Sequence, residues 1–337
     1  MMLWLVLPLA FVASFVLTAA LRGYALRRSL IDVPNARSSH SVPTPRGGGV
    51  AIVVVVAAAL FGLACFGLVS TPLTWAVLGA GLTVALLGFA DDHGHIAARW
   101  RLLGHFASAG WALFWLGGLP AIKVFGTTLE LGWFGQLLAL LFLVWMLNLY
   151  NFMDGIDGIA SVEAISACLG ALLCYAVVNE TGVSGRVEWL LIAAVAGFVC
   201  WNFPRARIFM GDAGSGFLGI TVAILALNAA WVTPQLLWSW LILLGVFIVD
   251  ATFTLMRRLL RGEAVYEAHR SHAYQSAARR AGGHVPVTVT VALINLVWLL
   301  PWALGVAVGS IDGVVALISA YLPLVALCIW FRAGGAE

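Results

Sequence analysis

The sequence predicts an all-α polytopic membrane protein of about eleven transmembrane helices, with the N-terminus outside, the C-terminus cytoplasmic and the chemistry in the cytoplasmic loops. Three observations predict it. Hydrophobic residues make up 62% of the chain and charged residues only 10%, against roughly 25% charged in soluble domains. Apolar runs recur along the whole chain, most of them long enough to cross a hydrocarbon core of about 30 Å. The basic residues also segregate: if alternate loops share a side, sixteen of the eighteen Lys and Arg fall on one side, and only Lys123 and Arg186 on the other. The positive-inside rule assigns the richer side to the cytoplasm.

Taken in order, the expected spans are 2–21, 48–70, 72–90, 103–120, 132–149, 159–179, 187–203, 215–233, 235–256, 285–308 and 313–331. The first has no basic residue ahead of it and exceeds a signal-peptide core of about 7–15 residues, so it is expected to remain as a helix. Between spans 4 and 5, Ala121–Leu131 alternates enough for a small hairpin turning at Gly126. The five cysteines lie in apolar runs without metal-ligand spacing and read as small buried hydrophobes. One membrane domain, 1–337, is expected, with no soluble domain.

Every dense polar segment falls on the arginine-rich side. The densest, Asn148 to Gly158, carries Asn148, Asn151, Asp154 and Asp157 between two apolar runs. Asp154 and Asp157 are three apart and share a face if the segment is helical, with Asn151 one turn back, which suits a cation site. Asp91-Asp92 ends span 3, where negative charge opposes the helix dipole, so helix stability does not explain the pair. A metal ligand or a base does, as do two solvated acids. His93, His95, Arg99 and Arg101 follow. Asn202 to Gly216 brings Phe209, Asp212 and Ser215 to the start of span 8, where backbone N–H groups favour an anion. Asp212 would repel a bare phosphate there, a conflict that a bridging divalent cation resolves. In the first loop Arg37, His40 and Arg46 suit phosphate, with Gly47, Gly48 and Gly49 permitting close backbone approach, and suit equally an orienting basic loop with a Pro/Gly turn. In the last loop Arg270 and His272 also suit phosphate, while Arg257, Arg258 and Arg261 anchor span 9 or attract anionic lipid.

Together these segments resemble the polyprenyl-phosphate N-acetylhexosamine-1-phosphate transferases. The matching stretches are Asp32-x-Pro-Asn-x-Arg37-x-x-His40 with Pro45-Arg46-x-Gly48-Gly49, Asp91-Asp92, Asn148-x-x-Asn151-x-x-Asp154-Gly-x-Asp157-Gly, and Phe209-Met-Gly-Asp-x-Gly-Ser215. The resemblance implies transfer of a sugar 1-phosphate from a UDP-N-acetylhexosamine to undecaprenyl phosphate, with release of UMP and a need for Mg²⁺, in a bacterial cytoplasmic (inner) membrane. It implies Asp212 and Asn151 as Mg²⁺ ligands, Phe209 stacked on uracil and Asn202 on the nucleotide. Asp91 or Asp92 would act on the lipid phosphate, and Arg270 and His272 would hold diphosphate or sugar. Arg46, Ser215, Asp154 and Asp157 complete the expected substrate-binding set, with Asp91, Asp92, Asp212 and His272 as the catalytic one.

Ser38, Arg101 and His105 stand where many relatives carry Lys, Lys and Gln, and the family's histidine-rich loop is reduced to His269-Arg-Ser-His-Ala-Tyr-Gln. These departures look like the O-antigen-initiating branch and argue against a muramyl-pentapeptide substrate, leaving UDP-N-acetylglucosamine and UDP-N-acetylfucosamine open. A homodimer is expected by analogy alone, and no nucleic-acid partner is expected. The alternative, a polyprenol-lipid transporter or flippase, needs polar groups across the bundle, which the apolar interiors of spans 5 to 8 discourage.

Overall fold

The computed structural model describes residues 2–34, 39–40, 42–94, 96–178, 185–263 and 269–335. Its elements in order are α1 (Met2–Arg27), β1 (Ile31–Asp32), β2 (Thr44–Pro45), α2 (Val50–Cys65), α3 (Thr71–His93), α4 (Ala98–Leu116), β3 (Ile122–Val124), β4 (Thr127–Leu129), α5 (Gly132–Met153), α6 (Ile159–Val178) and α7 (Arg186–Asn202). There follow α8 (Asp212–Val232), α9 (Gln235–Leu243), α10 (Gly245–Leu260), α11 (Ala273–Ala281), α12 (Val285–Leu293), a π-helical turn at Ile294–Leu299, α13 (Leu300–Ala307) and α14 (Gly313–Trp330).

Each of the eleven expected apolar stretches is helical. Among the described residues, seven helices are long and apolar enough to cross a membrane: α1, α3, α5, α6, α8, the run α12–α13 and α14. The α9–α10 pair makes an eighth if taken as one span, but it bends by 70°. α2, with 16 residues, is apolar and shorter. The expected hairpin is present as β3–β4, with Lys123 opposite Thr128 and positive φ at Phe125 and Gly126 in the turn. The first loop folds back as the antiparallel pair β1–β2, Ile31 opposite Pro45.

The helix at the centre is α8. Its small residues keep it slim, so α2, α3, α5 and α9 all pack on it, and 83% of its most apolar stretch is buried against 17% for α1. Cys168, Cys174 and Cys328 are buried as expected, whereas Cys65 and Cys200 lie on the outer surface of the helices. The polar loops collect at the first residues of this central helix.

Candidate active site

Backbone pairing joins the first loop to the segment leading into α8. Gly48 and Gly49 N–H donate to the carbonyls of Phe209 and Met210 at 2.9 and 2.8 Å, and Phe209 N–H donates to Pro45 O at 2.8 Å. Gly49 cannot be replaced without displacement, because a Cβ there would meet Gly214 Cα at 2.5 Å. On the other flank α3 passes so close that a Cβ on Gly88 would lie 2.5 Å from the Ala213 nitrogen. These two contacts bring loop 1 and the end of α3 against the start of α8.

Between them opens a cavity of ≈ 310 Å³. Arg46, Asp92, Asn151, Asp154, Asp157, Asn202, Phe209, Asp212 and Ser215 all line it, together with Asp32, His40, Gln275 and His284. Five carboxylates from four separate stretches of chain thus share one concave surface. Among the described residues no group of three His, Cys, Asp or Glu is placed to hold a metal by itself.

The adjacent acids part company, because successive helical residues point about 100° apart. Asp92 faces the cavity and the first backbone N–H groups of α8, at Asp212 and Ala213. Arg46 approaches it, Nη1 lying 3.8 Å from Oδ1, and bonds its backbone carbonyl. Its Oδ2 is buried without a hydrogen-bond partner. Asp91 turns away into a smaller cavity of ≈ 20 Å³ that His105, Asn148, Asn151 and Asp212 also line. There it accepts from Ile96 N–H at 2.9 Å and from Arg101. Arg101 also reaches to 3.8 Å from Asp212. Asp212 and Asn151 line both cavities and so form the wall between them.

The N-terminus of α8 is not the open anion site that its sequence suggests. Asp92 already faces it, and Ser215, 1% exposed, donates through Oγ to Gly211 O at 3.2 Å and accepts from Asn151 Nδ2 at 3.1 Å. Asn202 also departs from expectation: its Oδ1 accepts from Gly158 N–H at 2.9 Å and its Nδ2 donates to Ile208 O at 3.0 Å. Both ends of the amide hold loops in place, leaving the side chain as cavity wall. The Phe209 ring lies edge-on to His40, centroids 4.8 Å apart. Asp154 closes α5; burial, and then the charges of Asp212, Asp92 and Asp157, push its carboxyl above the usual carboxylate range.

His272, expected in the catalytic set, does not reach the cavity. It is 2% exposed, with Nδ1 3.2 Å from Asp250 Oδ1. Asp250 also accepts from the N–H groups of Ala273 and Tyr274, each at 2.9 Å, and from Thr254 Oγ1 at 3.0 Å. The pair therefore clamps the start of α11. Arg270 lines a neighbouring cavity of ≈ 830 Å³ with Arg205 and Arg279; it adjoins the first through His40, Asp157, Phe209, Gln275 and His284. Arg37 and His95 lie outside the described residues.

His284 has no precedent in the motifs. Its Nδ1 lies 3.2 Å from Asp157 Oδ1 and its Nε2 3.0 Å from the Ser39 carbonyl. The bond to Asp157 outweighs burial and raises its pKa above the ordinary histidine value. No spacing rule links residues 127 positions apart; the sole signal was a histidine just ahead of a helix with Pro at its start.

Fold and site define a polytopic helical protein with an acid-lined cavity at the end of its bundle where the polar loops meet. The chain belongs to glycosyl transferase family 4, whose signature matches residues 74–230. It is 28% identical over 299 residues to a Bacillus subtilis protein named as a probable undecaprenyl-phosphate N-acetylglucosaminyl 1-phosphate transferase, covering 86% of this chain and 82% of the relative. A decaprenyl-phosphate N-acetylglucosaminephosphotransferase of Mycobacterium leprae is 28% identical over 336 residues, covering 85% and 81%. A phospho-N-acetylmuramoyl-pentapeptide-transferase of Desulforudis audaxviator is 32% identical over 265 residues, covering 70% and 77%.

Proposed function

We propose that this protein transfers an N-acetylhexosamine 1-phosphate from a UDP-sugar, with N-acetylglucosamine as the first candidate, to undecaprenyl phosphate. The products are undecaprenyl-diphosphate-sugar and UMP, and the reaction begins a lipid-linked surface glycan such as O-antigen. On this reading the chain crosses the bacterial inner membrane eleven times and opens its cavity to the cytoplasm.

One observation carries the proposal. Asp92, Asp154, Asp157 and Asp212 converge on one cavity that also holds Arg46. Alone, such a wall repels a diphosphate, and Asp92 Oδ2 is buried without a hydrogen-bond partner, with Arg46 as the cation beside it. A magnesium ion fits that want, since Mg²⁺ takes one or two carboxylates and fills its remaining positions with water and substrate phosphate. Asp212 and Asn151 would hold it, with Asp92 alongside. When bound, the ion neutralises phosphate oxygens and eases departure of UMP.

The protein's own groups do the rest. Arg46 on one side and Arg101 on the other offset the charge of two phosphates brought together. Phe209 offers an aromatic face to the base, and the arginine-lined outer cavity takes the anionic remainder of the donor. An oxygen of the lipid phosphate attacks the β-phosphorus, a new P–O bond forms, and the bond to UMP breaks with its electron pair leaving on UMP. Asp92 takes any proton still carried by the attacking phosphate. His272 acts at a distance, by fixing α11 and hence Gln275 at the cavity.

The test is UMP release by purified, detergent-solubilised protein across a panel of UDP-N-acetylhexosamines. Release that requires both undecaprenyl phosphate and Mg²⁺ is expected, and the preferred donor names the sugar. Folded protein that releases nothing from any donor would overturn the proposal.

A further inference from the structure

A second recess carries the opposite charge. Arg257, Arg279, Arg280 and Arg332 line a cavity of ≈ 720 Å³ with Ser276 and Phe331, and no carboxylate is among its described lining residues. Its floor is the chain that follows α14. Arg257 Nη1 donates to Ala333 O at 3.0 Å, Arg261 Nη1 to Gly334 O at 2.7 Å, and Gly334 N–H to Ser271 O at 2.8 Å. The guanidinium of Arg280 lies 5.2 Å from the centroid of Phe331. The recess is thus a built one, with the tail strapped down and the arginines arranged around it.

Glu263, the described acid nearby, is engaged elsewhere. Glu263 pairs with Arg258 and Arg261, each at 2.9 Å. Among the described residues no carboxylate lies within ion-pair distance of Arg257, Arg280 or Arg332. Like charges gathered this closely repel unless an anion sits among them.

The surroundings say what kind of anion. α14 is long and apolar enough to span a membrane, and the recess opens at its last turn, beside Ile329. Trp330, 72% exposed, stands there, and Leu260, 83% exposed, ends α10. Ile318 and Leu322 continue the exposed apolar face along α14. A cationic recess continuous with an apolar helix face matches an amphiphile with a negative head. A soluble anion has no use for that rim.

We infer that this recess binds an anionic glycerophospholipid, its phosphodiester held by Arg257, Arg280 and Arg332 and its acyl chains lying along the exposed face of α14. This lipid is distinct from the acceptor substrate: the recess shares no lining residue with the acid-lined cavity and meets the neighbouring arginine-lined cavity only at Arg279. The inference does not depend on the transferase reading.

The full-length protein in detergent micelles is titrated with phosphatidylglycerol, and retained lipid is counted by native mass spectrometry. Phosphatidylglycerol is expected to bind in preference to phosphatidylcholine. The pair Arg280→Ala with Arg332→Ala is expected to weaken it roughly tenfold to thirtyfold, while Arg27→Ala with Arg28→Ala, at the end of α1, changes it less than about twofold. Should the first pair lower the melting temperature, Arg280→Gln with Arg332→Gln keeps the side-chain stems and makes the same test. Equal binding of phosphatidylcholine, or equal losses in the two pairs, would overturn the inference. So would displacement by millimolar inorganic phosphate, which marks a soluble-anion site, or by a polyprenyl phosphate, which marks an acceptor site.

Discussion

Two aspartates in this molecule meet the start of a helix, and they are treated in opposite ways. Asp250 accepts from two backbone N–H groups of α11 and from Thr254, and lies against His272. Asp92 lies against the start of α8, with one oxygen unpartnered and Asp212 as its neighbour. A saturated carboxylate holds structure; a carboxylate left short among others has capacity for something not made of protein. The contrast teaches that motif membership alone does not sort structural from chemical acids, since both aspartates lie beside residues the sequence marks.

The sharpest way to break the comparison is Asp92→Asn. Turnover is expected to fall about 10²- to 10⁴-fold, while the melting temperature holds or rises because a repelling charge has gone. A large drop in melting temperature would place Asp92 with Asp250. The converse is Asp250→Ala. Removing this buried carboxylate strands the N–H groups of Ala273 and Tyr274, each at a cost of about 1–3 kcal/mol, so a marked fall in the melting temperature is expected, with turnover per folded molecule much less affected. Unchanged melting would show that the clamp on α11 is idle.

The smallest effect sharpens a third case, the partly buried pair of Asp157 and His284. The folded pKa of His284 is raised, so its charged form contributes stability that is fully present below the ordinary value of about 6.5. That contribution is lost as pH rises through the raised value. Wild type is expected to lose stability across this rise, by about 1 kcal/mol or less, read as a fall in melting temperature, and His284→Gln is expected to flatten that part of the profile. Parallel profiles for the two proteins would show that the histidine carries no linked proton.

Much of this was legible in the sequence, for identifiable reasons. Apolar runs fix helices in lipid because no other open-chain structure satisfies the backbone there, and all eleven runs are helical. The hairpin at Phe125–Gly126 followed from alternation and a turn glycine. The acids of the cavity were legible because charged residues are rare enough in this chain to stand out. What stayed hidden is what depends on packing. The bend between α9 and α10 falls at Leu244, with no proline to announce it. The π-helical turn at Ile294–Leu299 reads as ordinary helix. The division of labour between Asp91 and Asp92 needs the position of Arg101 and α8, and His272 looked chemical because its partner, Asp250, lies 22 residues away in another helix.

The contact of His284 with Ser39 spans 245 positions of chain. At about 5–20 residues per second, a ribosome needs roughly 12 to 50 s to deliver the second partner after the first. The acids of α3, of the α5–α6 turn and of α8 are all made within that interval, and the histidine that meets the first loop comes after them. A product that stops short of His284 therefore holds all five acids of the cavity but lacks the side chain that ties Asp157 to the first loop.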